Sequence, residues 1–174
     1  DQYRTMAEQL FESGRESRNV AFLQDSAIYF GLAGRDKDAV RARAYQKHFS
    51  GDSLAGAAEL KRSATSNWRE EAYLMLLEGQ EWSALHNLVD DPTNADYFRK
   101  TEFGGEKLLI KYLTSTELSA TESFILDLDS RNLDPFVPQE RSAAMWRAAI
   151  NKLVHELDDD NLSILRRNAS SGRA

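Results

Sequence analysis

The sequence contains no cysteine and little proline or glycine. The absence of cysteine excludes a disulfide framework, a thiolate metal site and a cysteine nucleophile. With three prolines and nine glycines, the chain has few of the residues that interrupt helices or shape the turns of β-rich folds. No apolar run approaches the ~20 residues that span a membrane, and the sequence shows no apolar h-region of the kind found in signal peptides. We therefore predict a soluble, helical protein without membrane insertion, and the sequence favours a cytoplasmic location.

Positive charge is also in short supply, since the formal net charge is −6. A protein that binds duplex nucleic acid normally carries a basic surface, so this balance argues against that class. The length fits one domain, which we expect to cover residues 1–167, followed by a frayed polar tail at 168–174. Because the chain begins with Asp1 rather than methionine, we expect it to be a fragment of a longer protein.

Apolar residues recur at three- and four-residue steps along most of the chain, which is the spacing of amphipathic helices. The predicted helices cover residues 2–13, 18–33, 36–49, 53–64, 68–78, 81–89, 106–114 and 139–158. At the start of the fifth, Asn67 and Glu70 are spaced as a capping box. The last carries a stripe that we expect to be buried, with Trp146 as its anchor: Ala143, Trp146, Ile150, Leu153, Val154 and Leu157. The predicted fold class is all-α, built from stacked helical hairpins.

Two segments share a pattern that is typical of a helical hairpin. Residues 27–34 are apolar, end at Gly34 and are followed by Ala39, while residues 72–79 end at Gly79 and are followed by Ala84. We expect each glycine to close a helix with a positive φ, and each alanine to let the next helix pack closely.

This pattern resembles the tetratricopeptide-type helical repeat, whose first helix ends in a glycine and whose second has an early alanine. The resemblance covers residues 27–43 and 72–89, but the glycines are further apart than the ~34-residue period of that family. The aromatic pattern and the terminal proline of the repeat are missing too. The resemblance implies a degenerate α-solenoid that binds other proteins.

No motif predicts a catalytic residue, a cofactor site or a metal site. His155 and Glu156 begin like a helical zinc-protease motif, but Asp159 occupies the position where the second histidine ligand belongs. The three histidines lie beside no recognisable nucleophile motif. We therefore expect a chain that is not an enzyme and holds no cofactor.

One basic cluster on the third helix is a candidate partner-binding site. It consists of Lys37, Arg41, Arg43 and Lys47. Such a cluster in an acidic protein could dock an acidic protein partner or, as a weaker alternative, RNA phosphates. The other interpretation is a solvated face whose charge is balanced by Glu59, Glu70 and Glu71.

The leading hypothesis is a non-catalytic helical-repeat module for protein–protein interaction, within a larger protein or assembly. A second hypothesis is a helical accessory domain of an enzyme whose catalytic residues lie elsewhere. A third is an RNA-binding helical domain that uses the basic cluster.

Overall fold

The computed structural model describes residues 2–98, 104–115, 120–121 and 143–156. All the regular structure in these ranges is helical, and consecutive helices pack against each other as stacked hairpins, which confirms the predicted all-α class. The chain divides into two compact units, residues 1–85 and 86–174. A single domain ending at residue 167 stays a prediction, and the tail at 168–174 lies outside the described residues.

The first unit contains five helices that pack in chain order, and the start of a sixth. They are α1 (Gln2–Ser17), α2 (Val20–Leu32), α3 (Asp36–Phe49), α4 (Ser53–Ser63), α5 (Trp68–Glu78) and α6 (Trp82–Asp90), which continues into the second unit. Neighbouring helices run antiparallel because their connections are short. The Ser26 hydroxyl donates to the Ala7 carbonyl across the first hairpin, and the Lys47 ammonium reaches Glu59 across the second.

Side chains also join the odd-numbered helices to one another. Phe11 of α1 makes an edge-to-face contact with Tyr45 of α3, at 5.5 Å between ring centroids. Arg41 of α3 pairs with Glu71 of α5. The odd-numbered helices α1, α3 and α5 therefore form one layer, on which α2 and α4 pack as the second halves of successive hairpins.

The ends of the helices test the capping residues that the sequence predicts. Asn19 caps α2 by accepting from the backbone N–H groups of Ala21 and Phe22, and Asp52 caps α4 in the same way. The capping box predicted at Asn67 is wrong, because that side chain makes no capping hydrogen bond. Gly34 has a φ of +68°, as the hairpin pattern predicted.

The positive φ predicted for Gly79 is wrong, since its φ is −75° and the next residue, Gln80, takes the left-handed conformation at +56°. Glycine is required at position 79 for a different reason. A Cβ at position 79 would lie 2.6 Å from the Ser53 Cβ, and it would lie even closer to the Ser53 hydroxyl oxygen. The residue lets the end of α5 approach the start of α4.

The second unit contains the end of α6, a short 3₁₀ turn (Pro92–Asn94), α7 (Ala95–Phe98), α8 (Gly104–Thr114) and α9 (Ala143–Glu156). Helix α9 packs against α8, but its buried face differs from the predicted stripe. Met145 and Ala149 are buried, whereas Ile150 and Val154 are more than half exposed and Trp146 is only partly buried. Residue 157 of the stripe lies outside the described residues.

None of the helices in the described ranges has the length and apolar character of a membrane span.

Candidate functional site

The four predicted partner-binding residues all lie on α3, but the structure divides them between two surfaces. At 3.6 residues per turn, Lys37 and Arg41 point in one direction and Arg43 and Lys47 point about a third of a turn away. The first pair lines a cleft beside the start of α3. In the second pair, Lys47 contacts Glu59 of α4, and Arg43 influences the same carboxylate through space. The sequence cluster is therefore two neighbouring sites rather than one.

The cleft has a volume of about 770 Å³ and lies between the α2–α3 turn and the α4–α5 connection. Thr65, Ser66 and Asn67 line the side formed by that connection. On the α3 side, the Arg35 guanidinium pairs with Asp38 at 2.6 Å, whereas Lys37 is exposed and has no ion pair with any of the described residues. The lining therefore offers hydroxyl and amide groups and one unpaired ammonium group.

Arg41 lies against the cleft, but its guanidinium is held by the protein itself. Its Nε donates to both carboxylate oxygens of Glu71, at 2.9 and 3.0 Å, and its Nη2 donates a further hydrogen bond to Oε1 of the same carboxylate. The guanidinium also lies 4.7 Å from the ring centroid of Phe11. Burial lowers the pKa of Arg41, but the hydrogen bond and charge of Glu71 outweigh it, so the pKa is raised. Arg41 thereby links α1, α3 and α5.

Arg43 and Lys47 belong to a second group, which we call the Glu59 cluster: Arg43, Lys47, Glu59 and Arg62. Lys47 Nζ donates to Glu59 Oε1 at 2.7 Å, and Arg62 Nη1 lies 3.4 Å from the same oxygen. The pKa of Glu59 is lowered, chiefly by the hydrogen bond from Lys47 and further by the positive charges of Lys47, Arg62 and Arg43, despite opposing desolvation. Two cations thus contact one carboxylate, and Arg43 acts on it through space.

A third group, His48, Ser53 and Glu78, has the composition of a nucleophile, base and acid. His48 Nδ1 lies 2.9 Å from Ser53 Oγ, and Nε2 lies 2.9 Å from Glu78 Oε2, while the other oxygen of Glu78, Oε1, pairs with Arg18 at 2.5 Å. Ser53 is 6% exposed, however, and packs against Gly79 without room for a substrate at its hydroxyl. The group satisfies a buried imidazole and ties α3 to the ends of α4 and α5.

In the second unit, side-chain hydrogen bonds connect α9 to α8. Lys152 Nζ donates to the carbonyl oxygens of Tyr112 and Ser115, at 2.6 and 2.5 Å, where α8 ends. The Tyr112 hydroxyl donates to Glu156, and burial, followed by that carboxylate, raises the pKa of Tyr112 to about 12. Among the described residues, no group of histidine, aspartate and glutamate side chains is arranged to hold a metal ion.

Comparison with known proteins identifies no match for this chain. No protein-family model matches the chain, and no curated protein or solved structure matches it.

Proposed function

We propose that this chain is a non-catalytic helical-repeat module of the tetratricopeptide-like kind, which binds another protein within a larger assembly. The observation that carries the proposal is the stack of antiparallel helices α1 to α5, in which each helix packs on the next. Stacks of this kind present extended surfaces formed by side chains from several helices, and they are commonly used for protein recognition.

The surface of α2 supports the same proposal. This helix buries Leu23, Ala27 and Phe30 on one side, yet Ile28 and Leu32 on the other side are 54% and 61% exposed. The two exposed side chains are one turn apart and therefore adjacent. A helix that is apolar on both sides is usually covered on both, so this face is suited to a further helix or a partner.

RNA binding is the other candidate that an observation favours, because the Glu59 cluster has more cations than carboxylates. The net charge of −6 opposes it, since phosphate contacts depend on an overall basic surface. The arrangement of the cations also limits the number of phosphates within reach, because Arg41 is held by Glu71.

The test is affinity capture with the purified full chain as bait, compared with a Lys37→Glu/Arg43→Glu variant that reverses one exposed cation on each α3 surface. Circular dichroism and thermal melting must first show that both baits are folded. We expect the wild-type bait to retain one protein in stoichiometric amount, and the variant to lose most of it. Ribonuclease treatment should leave the wild-type result unchanged. Retention that disappears with ribonuclease would favour RNA instead, and retention of no stoichiometric protein would contradict the proposal.

A further inference from the structure

The Glu59 cluster differs from the other ion pairs of the first unit in its stoichiometry. Arg41 pairs with Glu71, and the two arginines Arg4 and Arg35 share the two carboxylates of Glu8 and Asp38, so that cations and carboxylates are equal in number in both groups. In the Glu59 cluster three cations share one carboxylate, which leaves an excess of two positive charges. The excess occurs in a chain whose net charge is negative, so it is not a consequence of overall composition.

The cations of the cluster face solvent while its carboxylate lies beneath them. The side chains of Arg62 and Lys47 are 76% and 42% exposed, whereas that of Glu59 is 12% exposed. Arg43 is exposed as well. An approaching ligand therefore meets the guanidinium and ammonium groups first, and Glu59 holds Lys47 in place from below.

Helix stability explains only part of this arrangement. Arg62 lies in the last turn of α4, where a positive charge interacts favourably with the helix dipole. Arg43 lies in the middle of α3, far from either end, and makes no ion pair with the described residues within direct contact distance. Its effect on Glu59 is through space, so its guanidinium hydrogen-bonding groups remain open to a ligand.

We infer that the Glu59 cluster is a docking surface for an acidic segment of the protein partner, whose carboxylates bind Arg43, Arg62 and Lys47. This inference rests on the proposed function and specifies its partner. Arginine binds carboxylates in a bidentate manner, and two arginines with a lysine suit a short run of aspartate or glutamate. The aromatic residues of α3, Tyr45 and Phe49, lie on the layer that faces α1, so the cluster lacks the base-stacking platform typical of single-stranded RNA sites.

The experiment is a fluorescence anisotropy titration of the full chain against a labelled oligoglutamate peptide at low ionic strength. We expect measurable binding that weakens as salt is added, because exposed charges are screened. Arg43→Glu and Arg62→Glu should each lower the association constant about tenfold. Removing one exposed ion pair lowers it about threefold, and reversing the charge has this effect twice. Arg43→Gln should lower it about threefold, which covers the case in which the reversed charge disturbs folding.

Lys37→Glu is the matched control, because it makes the same charge change on an exposed site of the same helix but outside the cluster. It should change the association constant by less than about twofold. Glu59→Gln should have the opposite effect and strengthen binding about threefold, since it removes the negative charge of the cluster's own carboxylate. A purely structural role for the cluster would not produce this gain.

Three results would overturn the inference: no binding of the peptide at low salt, equal losses in the Lys37 and Arg43 variants, or tighter binding of an oligouridine RNA of equal charge. These results are distinguishable from a failure of the proposed function. If affinity capture retains a partner that depends on Lys37 but not on Arg43, the module still binds a protein and only the assignment of its docking surface is wrong.

Discussion

The pairing of Arg41 with Glu71 can be tested by removing its carboxylate. Glu71→Ala leaves the guanidinium between α1, α3 and α5 without its partner, while the Glu71 side chain is 10% exposed and that of Arg41 is 27% exposed. Breaking a fully buried pair costs about 3–5 kcal/mol, because the remaining charge is left uncompensated. Since Arg41 keeps some contact with water, we expect a loss of about 2–3 kcal/mol in the free energy of unfolding.

The assay is chemical denaturation of Arg41→Ala, Glu71→Ala and the double variant, which together form a double-mutant cycle. The coupling energy should exceed about 1 kcal/mol, because both side chains are largely removed from water. Arg4 and Glu8 provide the matched control, as their ion pair is 2.8 Å long but joins side chains that are 56% and 47% exposed. Their coupling should be far smaller than that of Arg41 and Glu71, because water screens both charges. If the two cycles give the same coupling, Arg41 is not an internal structural residue and the reasoning fails.

Three further predictions concern packing and pH. Gly56→Ala should destabilise the protein by about 1–3 kcal/mol in denaturant melts, because a Cβ at Gly56 would lie 2.8 Å from the Ala44 carbonyl oxygen. Gly31→Ala is the control: a Cβ there would meet nothing within 4 Å, so this substitution should be neutral or stabilising. Equal effects of the two would refute the close approach of α3 and α4. Met145→Ala should lower the free energy of unfolding by about 2–5 kcal/mol and Ile150→Ala by less than about 0.5 kcal/mol, because the Met145 side chain is fully buried and Ile150 is 53% exposed. The reverse order would show that α9 buries the stripe predicted from sequence instead. Because the pKa of Glu59 is lowered by folding, this carboxylate stabilises the folded state fully above its unfolded pKa of 4.5, and the stabilisation is lost as the pH falls through the lower folded pKa. The melting temperature of Glu59→Gln should therefore fall less on acidification than that of the wild type. An equal fall in the two proteins would contradict the pairing of Glu59 with Lys47.

Local sequence signals were sufficient for the helices themselves. Periodicity predicted α3 and α5 with the bounds that the structure gives them, and Gly34 was correctly predicted to have a positive φ. These features depend on residues within one or two turns of each other, where backbone geometry and side-chain spacing determine the outcome.

Apart from the local capping box at Asn67, the errors arose where the deciding neighbour is distant in sequence. The predicted stripe of α9 favoured large side chains such as Ile150, but the face that meets α8 is the one that carries Met145 and Ala149. Overlapping apolar stripes on one helix are equally plausible from periodicity alone, and only the position of the packing partner selects between them. Gly79 shows the same dependence, because the atoms that require a glycine there belong to Ser53 on another helix.

The basic residues of α3 illustrate this dependence for charge. Arg41 and Arg43 are two positions apart and chemically identical, yet one is held by Glu71 against Phe11 and the other faces solvent near Glu59. Helix geometry alone predicts that they point in different directions, but it does not indicate which direction contains a carboxylate. That distinction requires the positions of α4 and α5, which carry Glu59 and Glu71 respectively. For this reason charge density along the sequence cannot separate a structural arginine from one that is free to bind a partner, whereas substitution of the two residues, with stability and peptide affinity measured on the same proteins, separates them directly.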